Sequence, residues 1–222
     1  MNSRLFARLA TGMVAILFGL TTSAHAGPPL ICHVIEIGQA KSLPLVDPWK
    51  VNASYDLKNL TRDTLAILDG TTPVLVRMET LRRATIYARQ DPQAAKELLT
   101  RLQVRAANSD ATGHPEALAW FDAGYLIEAY KQWIGKGEPN PATGLDGYRL
   151  ILKAIGLRGQ DSEMEFAAAL VTLKDPEKDR QDHARKALAG AKNDPLLAQN
   201  LASDFNRQTI AELLANASAG RI

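Results

Sequence analysis

The stretch "EALAWFDAGYLIEAYKQW" (residues 116–133) decides the fold. Apolar residues fall on almost every side of a 3.6-residue turn, and no proline or β-branched run interrupts them. Such a segment predicts a helix buried all round, the centre of a helical body. A long, fully apolar helix needs other helices to cover it. The sequence on both sides therefore has to supply amphipathic partners.

Upstream, "DPQAAKELLTRL" begins with Asp91 as a cap and Pro92 as the opening residue, and Ala95, Leu98, Leu99, Leu102 and Ala106 form one stripe. Thr72 and Pro73 open another helix, with Val74, Met78, Leu81, Ala84 and Ala88 on one face. There Glu79 and Arg83 have the spacing of a supporting surface pair. Asp56 caps a helix carrying Leu57, Leu60, Leu65 and Leu68, stopped by Gly70. Downstream, "GKGEPNPATG" (135–144) breaks the pattern and predicts an exposed loop around Lys136. "LDGYRLILKAIGL" resumes it up to Gly159. Ser162 and Glu165 have capping-box spacing at the start of the next helix. Asp175-Pro176 and Asp194-Pro195 open two more, and the polar helix 176–190 is expected on the outside.

The reading is therefore an all-α protein: an irregular helical bundle or a short α-solenoid of antiparallel helix pairs, with an extended N-terminal strap. Residues 56–216 form the helical domain and 217–222 a loose tail. Residues 27–55 form the segment that packs on it. Within that segment "LICHVIEI" (30–37) is equally compatible with a short helix or a strand, and "KSLPLVDPWKVNASY" (41–55) reads as extended.

The N-terminus has the form of an export signal. Arg4 and Arg8 precede an apolar run, Leu9–Leu20, and "SAHA" ends it with Ala24 and Ala26. The run is shorter than the roughly 20 residues of a membrane span. Cleavage is expected between Ala26 and Gly27, giving a periplasmic or secreted protein with no span in the mature chain. Taking Arg4 and Arg8 from the 26 Lys+Arg leaves the basic residues equal to the 24 Asp+Glu. This balance argues against a nucleic-acid partner, whose binding depends on neutralising phosphates.

"WFDAGYLI" resembles the first helix of the tetratricopeptide family, W-x2-L-G-x2-Y. Trp120 and Gly124 match, while Ala123 and Ile127 stand at the leucine and tyrosine places. The starts at Asp91, Asp161 and Asp194 are spaced by about two and one helix-pair repeats. A regular start near residue 126 would fall inside the central helix, so the resemblance covers about one repeat. It implies a concave face that binds a protein or peptide without chemistry. More broadly, the pattern resembles exported bacterial helical proteins, a likeness that implies no activity.

Candidate functional residues are few. The only cysteine, Cys32, stands beside His33. A metal- or thiol-dependent site centred on Cys32 and His33 is the alternative to partner binding; a zinc or copper ion there would need a further histidine, His114 or His183. The reading preferred for Cys32 is a small buried residue with a slowly reacting thiol. His183, four residues after Asp179, reads as an exposed ion pair. Arg77, Arg82, Arg83 and Arg89 form a basic region that can meet acidic groups. Trp120, Tyr125, Tyr130 and Trp133 form an aromatic cluster, read as core with Trp120 and Tyr125 as possible contact residues. No G-x-S-x-G, H-E-x-x-H, phosphate-loop or EF-hand motif is present, and no cofactor is implied.

Overall fold

The computed structural model describes residues 30–114, 116–133, 139–172 and 177–204. The export signal and its cleavage point, Lys136 in the proposed loop, Asp175-Pro176, and everything after Asp204 lie outside the described residues. Among the described residues the chain is all-α. Its helices are α1 (Leu60–Ile67), α2 (Val74–Ala88), α3 (Pro92–Ala111), α4 (Ala117–Trp133), α5 (Gly147–Arg158), α6 (Ser162–Val171), α7 (Glu177–Gly190) and α8 (Pro195–Asp204). A single antiparallel hairpin, β1 (Leu45–Asp47) and β2 (Lys50–Val51), is the only sheet described.

Helix α4 is the hub of a bundle: it packs against α2, α3, α5 and α6. Every residue from Phe121 to Tyr130 is buried. Its closest neighbour is α5, and two glycines make that approach possible. A Cβ at Gly124 would lie 2.6 Å from the Gly147 carbonyl oxygen, and one at Gly147 would lie 2.4 Å from that of Gly124. Either change would force the helices apart. No helix of the described residues is long and apolar enough to cross a membrane.

Local capping works where the sequence placed it on aspartate. Asp91 accepts from the N–H groups of Gln93 and Ala94, Asp146 from Arg149, and Asp194 from Leu197. Two helix starts differ from expectation. At α6 the cap is Asp161, which accepts from the Met164 N–H; Glu165 turns away into the bundle, so no capping box forms. At α2 no side chain within the local sequence caps the start, and the Leu75 N–H donates to Glu163 of α6 at 3.0 Å.

Residues 30–37 form neither a regular helix nor a strand. A 3-10 turn, Leu30–Cys32, with Ile31 buried, leads into backbone without regular structure in which His33, Ile35 and Ile37 are buried. Cys32 and Glu36 are exposed. The β-branched alternation is therefore used, but no strand lies alongside to satisfy the backbone. Side chains do so instead, as described below. Helix α7 is polar overall, yet His183, Ala184 and Ala187 form a buried face against α6.

Candidate functional site

Of the basic region expected at the surface, Arg77 and Arg82 are inside the protein, Arg83 is partly exposed and Arg89 is exposed. Arg77 and Asp122 are both fully buried, with Nη1 2.6 Å from Oδ2. Arg77 also donates to the carbonyls of Thr72 and Asp69, so one guanidinium holds α4 to the α1–α2 turn. Arg105 stands 3.7 Å from the same carboxylate and donates to Leu68 O. Burial pushes the Asp122 carboxyl up to about 6, against the opposing pull of Arg77 and Arg105.

Glu79 is the second node. Its carboxylate accepts two hydrogen bonds from Arg82, one from Arg83 and one from the Ile35 backbone N–H. Arg82 passes on to the carbonyls of Ile31 and Pro48, and Arg83 to that of Leu43. Tyr87 completes the row, donating to Pro44 O and accepting from the Asn52 N–H. Helix α2 thus offers the strap a ladder of side chains where a sheet would offer backbone. The fork geometry of arginine suits this role because it serves several acceptors at once. The Glu79–Arg83 pair anchors a partly exposed arginine to a buried carboxylate, and Arg77 and Arg82 are enclosed and unavailable to an external ligand.

Cys32 and His33 have opposite fates. Cys32 is exposed, so the expectation of a buried, packed cysteine is corrected: the extended chain turns His33 inward in its place. His33 Nδ1 lies 2.7 Å from Asp204 Oδ1 at the end of α8. A carboxylate can only accept, so Nδ1 carries the hydrogen. Among the described residues, His33 Nε2 and Asp204 Oδ2 have no hydrogen-bond partner. No group of three or more His, Cys, Asp or Glu side chains able to hold a metal occurs among the described residues. His114 is exposed in the loop before α4.

Tyr125 is buried in the core, stacked on Phe121. Trp120 is half-buried at the surface, donates to Asp110 and carries Lys153 3.5 Å above its ring. The five residues read as a binding set are therefore not brought together: four belong to the interior or to the strap ladder.

Two arrangements escaped sequence reading. The first is the β1–β2 hairpin. Val46 is 62% and Trp49 48% exposed, the largest apolar exposures described. Trp49 lines an open groove of about 630 Å³ together with Val51, Ile86, Arg89 and Gln90; Val46 is not among its lining residues. The Arg82 guanidinium lies 5.3 Å from the Trp49 ring centre and steadies it. Its sequence signal is "VDPW", an Asp-Pro turn between β-formers inside the segment expected to be a continuous extended strap.

The second is a hydrogen-bonded chain across α5, α6 and α7. Glu165 Oε2 meets His183 Nδ1 at 2.5 Å, and His183 Nε2 meets the Tyr148 hydroxyl at 2.7 Å. His183 is buried, which corrects the exposed ion pair expected with Asp179. Burial alone would raise the Glu165 carboxyl, but the hydrogen bond to His183 and the charges of His183 and Lys186 outweigh it and hold it below the ordinary value. No local motif announces this chain, since its members are separated by whole helices.

Comparison with known proteins finds no matching family model, no similar curated protein and no similar solved structure.

Proposed function

We propose that this is an exported protein that binds a protein or peptide through the β1–β2 hairpin. The observation that carries the reading is the exposure of Val46 and Trp49 together on one short hairpin, the two most exposed large apolar side chains described. Tryptophan is over-represented among the residues that dominate interface energies, and a fixed ring offers area at little entropic cost. The groove beside it, lined by apolar Val51 and Ile86 and by charged Arg89, suits an extended segment bearing a bulky apolar residue. The Arg4–Ala26 pattern supports export.

Selection from a random-peptide display library against wild type and a Val46→Ser/Trp49→Ser double variant tests the binding surface. The expected result is enrichment of peptides with a large apolar residue that bind wild type and not the variant. Enriched peptides that bind both equally, or no enrichment, would overturn it. Export is tested separately: the mature protein from an exporting bacterial host begins at Gly27, and retention of Met1 would refute it.

A further inference from the structure

A cavity of about 530 Å³ lies where the end of α5, the start of α6 and the end of α7 meet. Its apolar wall is Ile155, Gly156 and Ala189, and its charged wall is Asp161, Glu165 and Lys186. This volume is in the range of sites for small organic ligands.

Gly156 is the telling residue. It stands inside α5, where glycine costs about 1 kcal/mol relative to alanine. The other interhelical glycines have a visible reason. Gly124 and Gly147 let two backbones meet, and a Cβ at Gly190 would strike Ser162. A Cβ at Gly156 would meet nothing within 4 Å. Nothing within the described chain requires glycine at this position, and its effect is to leave the cavity wide.

The acidic side chains of the cavity, more than its helix ends, favour a cation: the C-terminal ends of α5 and α7 border it with partial negative charge, and the N-terminus of α6 opposes them with partial positive charge. Glu165 is buried and rigidly held, because His183 fixes one oxygen and Tyr148 fixes His183. The other oxygen, Oε1, is met by Lys186 at 3.4 Å, a long contact from a side chain that is 56% exposed. The remaining acid, Asp161, is occupied by Arg158 at 2.6 Å and by the α6 cap. Lys186 is thus the loosest partner in the site, on a flexible stem that can swing into solvent.

We propose that the cavity binds the ammonium end of a small organic amine, seated on Glu165 Oε1 in place of Lys186, with its apolar stem along Ile155, Gly156 and Ala189. The amine is either a free molecule or the side chain of a lysine in a peptide; both present the same group. The proposal is independent of the hairpin surface.

Amide-resolved NMR titration of the full chain tests it, with pentylamine and Nα-acetyl-lysine methylamide as the two amine probes and pentanoate as the anionic control. At millimolar concentration the amines shift the Gly156, Gly159 and Gly190 signals and pentanoate does not; the tighter amine identifies the source. Glu165→Gln weakens binding by at least about tenfold, the loss expected when a charged hydrogen bond goes. Since that change also touches His183, two further variants decide. Gly156→Leu fills the cavity and abolishes binding while its Tm holds or rises. Lys186→Ala removes the competing cation and tightens binding. No shift with either amine, equal binding of pentanoate, undiminished binding by Gly156→Leu, or weaker binding by Lys186→Ala would overturn the proposal.

Discussion

Glu79 on the strap side of the bundle and Glu165 on the α5–α7 side are both buried glutamates held by cations, and they do different work. Glu79 is enclosed on every side: two arginines and a backbone N–H saturate it, and its arginines go on to carbonyls of the strap. Glu165 is held by His183 on one oxygen, has only the longer Lys186 contact on the other, and lines a cavity. The difference lies in what each one packs against. Residues 30–44 cross the bundle without a strand partner, so their backbone groups need donors and acceptors from α2, and the local charge is consumed by architecture. At the α5–α7 junction each helix satisfies its own backbone, and the carboxylate keeps capacity to spare.

The comparison can be broken most forcefully at the enclosed nodes. Arg77→Met leaves Asp122 with only the distant Arg105, and the expected loss of stability in urea unfolding is about 3–5 kcal/mol, as for other severed buried pairs. Replacing both partners, Arg77→Met with Asp122→Leu, should cost less than either single change. A loss below about 1 kcal/mol for Arg77→Met would mean that the pair does not hold α4 to the α1–α2 turn.

At the α5–α7 junction the effects should be milder. His183→Ala removes one charge-assisted bond from Glu165 but leaves Lys186 in reach, so a cost of about 1.5–3 kcal/mol is expected. Tyr148→Phe removes only the outer link, at about 1 kcal/mol. An equal or larger cost for Tyr148→Phe would show that the chain is anchored from the tyrosine end.

Glu163 joins the two regions, since it leaves α6 to cap α2. Burial, with the neighbouring Asp194 and Asp161 carboxylates, pushes it up to about 7, against the lowering effect of the Leu75 N–H. Its folded value lies above the ordinary 4.5, so the native state keeps a proton that the unfolded chain has lost. The stability it contributes is fully present below the unfolded value and is lost as pH rises through 7. The stability of wild type relative to Glu163→Gln should therefore fall as pH rises from 4.5 to 7. A difference that is flat across this window would contradict the assignment.

The smallest effect is expected at Cys32. An exposed thiol on the outer side of the strap should react with an alkylating reagent in the folded protein, and Cys32→Ser should change stability by less than about 0.5 kcal/mol. Protection of the thiol until unfolding would place it back in the core.

The sequence by itself determined the all-α class, the buried central helix, the aspartate caps and most helix boundaries. These are local properties: a hydrophobic period, a cap or a proline acts within a few residues of itself. It also gave the strap its extended character, through the prolines and β-branched residues of 29–51. Tertiary structure alone decided the fate of the charged residues. The arginines of α2 look like a solvated face because helical spacing gives their position on the helix and says nothing of what crosses over it. A strap that arrives from far upstream covers Arg82 and part of Arg83, and α4 with the α1–α2 turn encloses Arg77. His183 was misread for the same reason, because its partners lie on other helices. Whether a polar side chain is surface, anchor or site depends on which distant backbone or cavity is brought against it, and that is set only when the helices pack.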